Sequence, residues 1–180
     1  FDWRAVEDRL HGFTNLRVAV DALAVHCVHL RGAGPRPTPI VLVHGWPSSF
    51  VEMLDLAVLL ADPLGAGASE EDGFDVVVPS LPGFGYSEAP LTAEWTSADS
   101  GRLVVRLMQA LGYERFAVHA YDVAASAMSA ACLSDPARIL GYHTTEPAIP
   151  GPFPVPDRGS LSTEERAYLA LADAWEADEL

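Results

Sequence analysis

Three short apolar runs and a fourth predicted strand alternate with helix-like segments along this chain. They lie at residues 40–43, 74–79, 115–120 and 138–145. A continuous apolar run of this length is too short for a core helix and is typical of a buried strand. Because a helical pattern follows each of the first three runs, the order predicts an α/β fold. We expect a mostly parallel sheet with helices on both faces.

A hairpin and several helices complete the predicted core. Residues 17–31 alternate apolar and polar positions around Asp21 and Ala22, which predicts two antiparallel strands joined by a tight turn. The segment at 48–63 is predicted to be a helix, with Ser48 or Ser49 as its N-cap and Pro63 as the residue that ends it. Helical patterns cover residues 1–10, 48–63, 96–112 and 124–133.

The pattern changes after residue 147. Residues 146–160 contain five prolines and predict an extended linker. Residues 161–180 begin with a Ser/Thr cap and acidic residues, as helices often do. We therefore predict a core at 1–147, followed at 148–180 by a linker and the start of a helical subdomain.

Charge and cysteine content narrow the classes of partner. The formal net charge is -14. Such a charge disfavours nucleic acid and anionic membranes, and a small neutral or weakly polar substrate fits better. Cys27 and Cys132 show no metal-ligand spacing, and neither do Glu70, Glu71 and Asp72 in their acidic loop. We expect free thiols, no metal, no cofactor, no membrane-spanning segment and a cytoplasmic location.

Three unusual segments follow predicted strands. They are HGWPSS at 44–49, SLPGFGYS at 80–87 and AYDVA at 120–124. Ligands in open α/β sheets bind beyond the carboxyl ends of the strands, where these segments converge. This edge of the sheet is the predicted active site.

Asp122 is the candidate nucleophile at this edge. A strand-to-helix turn that displays a nucleophile needs small residues two places to either side, and Ala120 and Ala124 meet that need. The following helix start favours an ionised carboxylate. The same position suits an aspartate that only caps the helix, so the residues leave both interpretations open. Ser126 and Ser129 are weaker candidates because both lie inside the helix.

Backbone N–H groups near Asp122 are candidates for binding an oxyanion. Gly45 and Pro47 constrain the loop so that the Trp46 N–H can point into the site, and the Val123 N–H follows the candidate nucleophile. The alternative is a plain loop with Trp46 in the core. His44 is expected to be a hydrogen-bonded structural residue.

The remaining residues at this edge are expected to form walls. His119 and His143 lie near strand ends, and Phe84 and Tyr86 are expected to cover the core. The predicted substrate-binding residues are Trp46, Pro47, Tyr121 and His143.

Five segments together resemble the α/β-hydrolase epoxide hydrolases of the microsomal, or juvenile hormone, type. The similarity extends to about residue 150, and HGWP and PSLPGFGYS are its most specific parts. The segments are FDWRAVEDRLHGF, HGWPSSFVEMLDL, PSLPGFGYSEAP, LGYERFAVHAYDVAAS and DPARILGYH.

The resemblance implies a reaction in two steps. The aspartate matching Asp122 attacks an epoxide carbon to give a covalent ester, while lid tyrosines protonate the ring oxygen. A histidine then activates water, and the Trp46 and Val123 N–H groups hold the oxyanion. Epoxide and water are the implied partners, and residues 148–180 would contain the start of the lid.

Two departures from the family pattern matter. The family has Gly-Gly-Asp-Trp-Gly at the elbow, whereas this chain has Ala-Tyr-Asp-Val-Ala at 120–124. The lid tyrosines, the histidine and its acid lie beyond the stretch that matches this chain. We therefore expect either part of a longer enzyme or a truncated homologue, and a chain cut inside its lid would tend to form homo-oligomers.

Other functions remain open on the same residues. A non-catalytic homologue that binds a small apolar ligand fits the altered elbow. A haloalkane dehalogenase also uses an aspartate nucleophile, although Val123 cannot supply the tryptophan donor that the resemblance would require. A serine esterase lacks a serine at the elbow.

Overall fold

The computed structural model describes residues 1–90, 92, 94–145, 159 and 161–179. The chain divides into two compact units, Phe1–Ala148 and Ile149–Leu180. In the second unit, helix α5 covers Thr163–Glu179. The Ser162 hydroxyl accepts from the Glu165 N–H and the Glu165 carboxylate accepts from the Ser162 N–H, which is the predicted capping arrangement. The predicted proline-rich linker lies outside the described residues at 146–158.

The first unit is built on a six-stranded sheet with the order β1-β2-β4-β3-β5-β6. Strands β4, β3, β5 and β6 are parallel, and the β1-β2 hairpin adds antiparallel strands at one side. The α/β prediction is therefore confirmed, as is the hairpin with its turn at Asp21 and Ala22. The strands are β1 Asn15–Val20, β2 Leu23–Leu30, β3 Thr38–Val43, β4 Phe74–Pro79, β5 Phe116–Ala120 and β6 Ile139–Thr144.

Four helices accompany the sheet, close to their predicted positions. They are α1 Trp3–His11, α2 Leu54–Ala61, α3 Ser97–Ala110 and α4 Val123–Ser134. The predicted helix at 48–63 is wrong in its first turn, which is a 3-10 turn over Phe50–Met53 capped by Ser49. The acidic residues at 70–72, predicted as open loop, form a 3-10 turn because Asp72 and Ser69 cap one another.

Each face of the sheet has its own apolar core. Val41 and Val43 of β3 belong to the core that α3 and α4 cover, whereas Ile40 and Leu42 belong to the core beneath α2. Side chains alternate along a strand, so a continuous apolar run supplies both cores at once. This explains why the runs of β3 and β4 lack the alternation of a half-exposed strand. Strand β5 alternates buried and half-buried residues, and β6 at the edge of the sheet has no fully buried residue.

Helices α3 and α4 approach closely at Gly101. A Cβ at Gly101 would lie 2.1 Å from the Ala127 carbonyl oxygen and 3.1 Å from the Ala131 Cβ. The buried residues of α4 are mostly alanine, which permits this approach. The close packing holds α4, which begins directly after Asp122, against α3.

Gly101→Ala should therefore destabilise the protein. An exposed helical glycine usually gains up to about 1 kcal/mol from this change, but here the new methyl overlaps backbone, and overpacking costs about 1–3 kcal/mol. Urea unfolding followed by circular dichroism measures the free energy of unfolding. Gly65→Ala is the matched control, because a Cβ there meets nothing within 4 Å. A Gly101→Ala variant as stable as wild type would contradict the close approach.

Candidate active site

The turn between β5 and α4 has the strained geometry of a nucleophile elbow. Asp122 has φ 53° and ψ -136°, a left-handed conformation that non-glycine residues rarely adopt. Such a conformation costs about 1–3 kcal/mol and persists only where surrounding structure enforces it. Ala120 and Ala124 are fully buried on either side of the turn. Their small side chains let strand and helix meet at a sharp angle.

The Asp122 carboxylate is bound by a backbone N–H from a distant segment. The Trp46 N–H donates to Asp122 Oδ2 at 2.6 Å across 76 positions of sequence. This hydrogen bond and one from the Val123 N–H hold the pKa of the Asp122 carboxyl below its ordinary value. The carboxylate is consequently ionised at neutral pH, as a nucleophile must be.

The interpretation of Asp122 as a simple helix cap is wrong. Asp122 occupies the N-cap position of α4, but its side chain does not accept from the second or third N–H of the helix, as a capping side chain does. Its Oδ2 accepts instead from Trp46 on the neighbouring loop. The structure therefore brings together the three predicted residues Asp122, Trp46 and Val123, and their catalytic roles stay a prediction.

The loop that supplies the Trp46 N–H is fixed at its start by His44. This side chain is fully buried, and its Nε2 accepts from the Leu81 N–H at 3.2 Å. Its Nδ1 therefore carries the proton and donates to the Gly45 carbonyl at 3.0 Å. Burial lowers the pKa of His44, so the ring is neutral. His44 is a structural residue, as expected.

The Trp46 side chain is not part of the core. It is 66% exposed, and the Trp46–Pro47 peptide bond is cis. The alternative interpretation of this segment, a plain loop with Trp46 buried, is therefore wrong. The exposed indole lies on the residue whose N–H binds Asp122, which leaves Trp46 available to contact a ligand there.

Tyr121 contacts a residue that sequence reasoning missed. Its hydroxyl donates a hydrogen bond to Glu52 Oε2 in the 3-10 turn. Hydrogen bonds from Ser48 and Tyr121 lower the pKa of Glu52, whereas burial and the Glu52 contact raise the pKa of Tyr121. Glu52 looks like an ordinary exposed helix residue in the sequence, and no pattern signals its contact.

His119 and His143 form a pair on the neighbouring strands β5 and β6. They lie opposite one another in the parallel register, with their Nδ1 atoms 2.9 Å apart. Burial and the nearby His143 lower the pKa of His119. One proton shared between the two nitrogens satisfies both rings. The predicted role of His143 in substrate binding stays a prediction.

The segment SLPGFGYS is held by His26, a second residue that sequence reasoning missed. His26 is buried, and its ring nitrogens contact Ser80 Oγ at 2.8 Å and Asn15 Oδ1 at 3.0 Å. Phe84 is partly buried against the core, as predicted, whereas Tyr86 is 60% exposed and packs edge-on against His26.

The two candidate serines of α4 offer no competing nucleophile. Ser126 is exposed on the helix, and the Ser129 hydroxyl donates to the Tyr142 hydroxyl at 3.3 Å. Among the described residues, no cluster of three or more His, Cys, Asp or Glu side chains has the arrangement of a metal site. No helix in the described part of the chain is both long and apolar enough to span a membrane.

Sequence comparison identifies the family. Residues 38–175 match the alpha/beta hydrolase fold, and residues 1–53 match the epoxide hydrolase N terminus. A Stigmatella aurantiaca protein that its name assigns provisionally to the epoxide hydrolases is 39% identical over 97% of this chain and 39% of its own length. Epoxide hydrolase 1 of Oryctolagus cuniculus is 31% identical over 79% of this chain and 32% of its own length.

A solved structure extends the likeness to the fold. The epoxide hydrolase of Aspergillus niger superimposes with a TM-score of 0.74 at 29% identity, over 99% of this chain and 46% of that protein. The chain thus spans less than half the length of these relatives. It belongs to the α/β hydrolase fold family, and its relatives within that family are epoxide hydrolases.

Proposed function

We propose that this chain carries the nucleophile and oxyanion-binding groups of an epoxide hydrolase, which opens an epoxide to a vicinal diol through an ester on Asp122. The proposal rests on one observation: the Trp46 N–H donates a hydrogen bond to Asp122 Oδ2, and Asp122 lies at the strained turn between β5 and α4. The relatives named as epoxide hydrolases support the choice of substrate class.

In the first step, Asp122 Oδ1 attacks an epoxide carbon. A C–O bond forms to that carbon, the ring C–O bond breaks, and its electron pair goes to the ring oxygen, which takes up a proton. Oδ2 stays with the Trp46 N–H and becomes the ester carbonyl oxygen. The N–H groups keep the carboxylate ionised before attack, and the Trp46 N–H already binds the oxygen that needs stabilisation next.

In the second step, water attacks the Asp122 Cγ. The tetrahedral intermediate places negative charge on Oδ2, and the Trp46 and Val123 N–H groups stabilise that charge. Removal of one such donor typically costs about 10²–10³ in rate. Collapse releases the diol and restores the carboxylate. The proposal assigns the base and the proton donor to the part of the relatives' length that lies beyond the stretch matching this chain.

The proposal also covers the setting of the reaction. Ring opening removes an alkylating group, which suits a role in detoxification. Cys27 and Cys132 are both free, which suits a reducing compartment such as the cytoplasm. The proposal also includes that the protein tends to form homo-oligomers.

Asp122→Asn should abolish covalent capture of an epoxide. The wild-type chain incubated with styrene oxide is expected to gain one epoxide mass on Asp122, because a carboxylate attacks and an amide does not. Intact-mass spectrometry followed by peptide mapping locates the adduct.

Asp21→Asn is the matched control for that experiment. Asp21 is the other described non-glycine residue with a positive φ, also 53°, but it lies in the β1-β2 turn. This variant should form the adduct at the wild-type rate. An adduct that survives Asp122→Asn, or an unmodified wild-type chain, would contradict the proposal.

The pH profile of ester formation should reflect the lowered pKa of Asp122. Only the ionised carboxylate attacks, and the pKa lies below the ordinary value of about 3.9. The rate of adduct formation, corrected for acid-catalysed ring opening in solution, should therefore stay level as pH falls from 7 to about 4. Timed mass spectrometry measures it, with circular dichroism to show that the chain stays folded. If the rate fell to half its level at a pH above the ordinary carboxyl pKa, the pKa of Asp122 would not be lowered. That result would contradict the N–H contacts.

A further inference from the structure

We propose that Tyr121 and Glu52 act as a positioning pair that holds the Trp46 N–H on the Asp122 carboxylate. Tyr121 directly precedes Asp122, and Glu52 belongs to the 3-10 turn that directly follows the loop containing Trp46. Their hydrogen bond joins the two segments beside the site. This inference rests on the proposed function, because it assigns the pair a role in the reaction of Asp122.

Glu52 stands on a rigid support. It belongs to the 3-10 turn Phe50–Met53, in which Phe50 and Met53 are buried in the core beneath α2. Ser49 caps the turn by accepting from the Val51 N–H. The side chain of Glu52 therefore starts from a backbone that the core holds in place.

Tyr121 connects this support to the elbow. Its ring is half-buried against the same core, and its hydroxyl donates to the Glu52 carboxylate. An ionised acceptor makes this hydrogen bond stronger than a neutral one. Any shift of the elbow away from the 3-10 turn would break this hydrogen bond.

The loop and the elbow are in direct contact between these two anchors. A Cβ at Gly45 would lie 2.8 Å from the Asp122 Cβ and Oδ2, and 3.0 Å from Tyr121 Cε2. His44 anchors the loop before Trp46, and Glu52 anchors it after Trp46. The Trp46 N–H is therefore held from both sides at 2.6 Å from Oδ2.

Asp122 needs such a restraint because its own backbone is strained. A φ of 53° persists only when neighbouring contacts enforce it. The related elbow pattern has glycine where this chain has Tyr121, and glycine has no side chain with which to reach Glu52. The Tyr121–Glu52 hydrogen bond consequently supplies a restraint that the glycine pattern lacks.

Tyr121→Phe removes the hydroxyl and keeps the ring, so it tests the pair directly. Selective ¹⁵N labelling of the four tryptophans lets NMR follow the backbone amide of Trp46. The Trp46 amide proton should move upfield as its hydrogen bond to Asp122 weakens. The maximal rate of adduct formation with styrene oxide should fall about tenfold, whereas the half-saturating concentration of styrene oxide should not change. A misplaced carboxylate reacts more slowly, although the substrate still binds.

Two further variants sharpen the test. Glu52→Gln should produce both effects in the same direction but to a smaller extent, because a neutral amide oxygen still accepts from the Tyr121 hydroxyl, only more weakly. Adding it to Tyr121→Phe should cause little further loss, because Tyr121→Phe has already removed the hydrogen bond. Tyr168→Phe is the matched control, since it removes an exposed tyrosine hydroxyl from α5. It should leave the Trp46 amide signal and the adduct rate at their wild-type values.

The NMR signal separates this inference from the proposed function. If the wild type forms no adduct but Tyr121→Phe still moves the Trp46 amide, the epoxide proposal fails and the positioning contact stands. A Trp46 amide and an adduct rate that both keep their wild-type values in Glu52→Gln and in a folded Tyr121→Phe would overturn the positioning role. A lowered melting temperature with an unmoved Trp46 amide would also overturn it, because the pair would then be merely structural.

Discussion

The hydrogen bond from the Trp46 N–H to the Asp122 carboxylate is the contact on which the candidate site depends. It joins loops that follow β3 and β5, and these strands are direct neighbours in the parallel sheet, with Val43 opposite Ala120. Neighbouring strands lie about 4.8 Å apart, so the two loops leave the same edge side by side. The sheet order therefore brings together an N–H and a carboxylate that lie 76 positions apart.

Much of the fold could be predicted because its signals are local. Short apolar runs, turn residues and caps located the strands, the hairpin and most helix ends to within a few residues. The first turn after Ser49 could not be predicted, because a 3-10 turn and an α-helix share the same apolar spacing there. The boundary between the core and the helical subdomain stays a prediction, since residues 146–158 lie outside the described part of the chain.

The candidate site was less predictable because its deciding contacts are not local. The residues around Asp122 in the sequence are consistent with both a helix cap and a nucleophile. Only the hydrogen-bond partner of its carboxylate distinguishes the two interpretations. Glu52 lies 69 positions from Tyr121, so nothing near either residue indicates their hydrogen bond. The family pattern has no side chain at the position of Tyr121 and so gave no reason to consider Glu52.

The alanines at the elbow do not prevent its sharp turn. Ala120 and Ala124 are fully buried without steric conflict, and the left-handed φ lies on Asp122 itself, so neither neighbour needs glycine's freedom. Glycine is instead required opposite the elbow. A Cβ at Gly45 would collide with Asp122, and a Cβ at Gly101 would collide with the Ala127 carbonyl of α4. The absence of side chains at those two positions lets the loop lie against the elbow and α3 lie against α4. The departure from the glycine pattern is therefore compatible with a carboxylate displayed for attack.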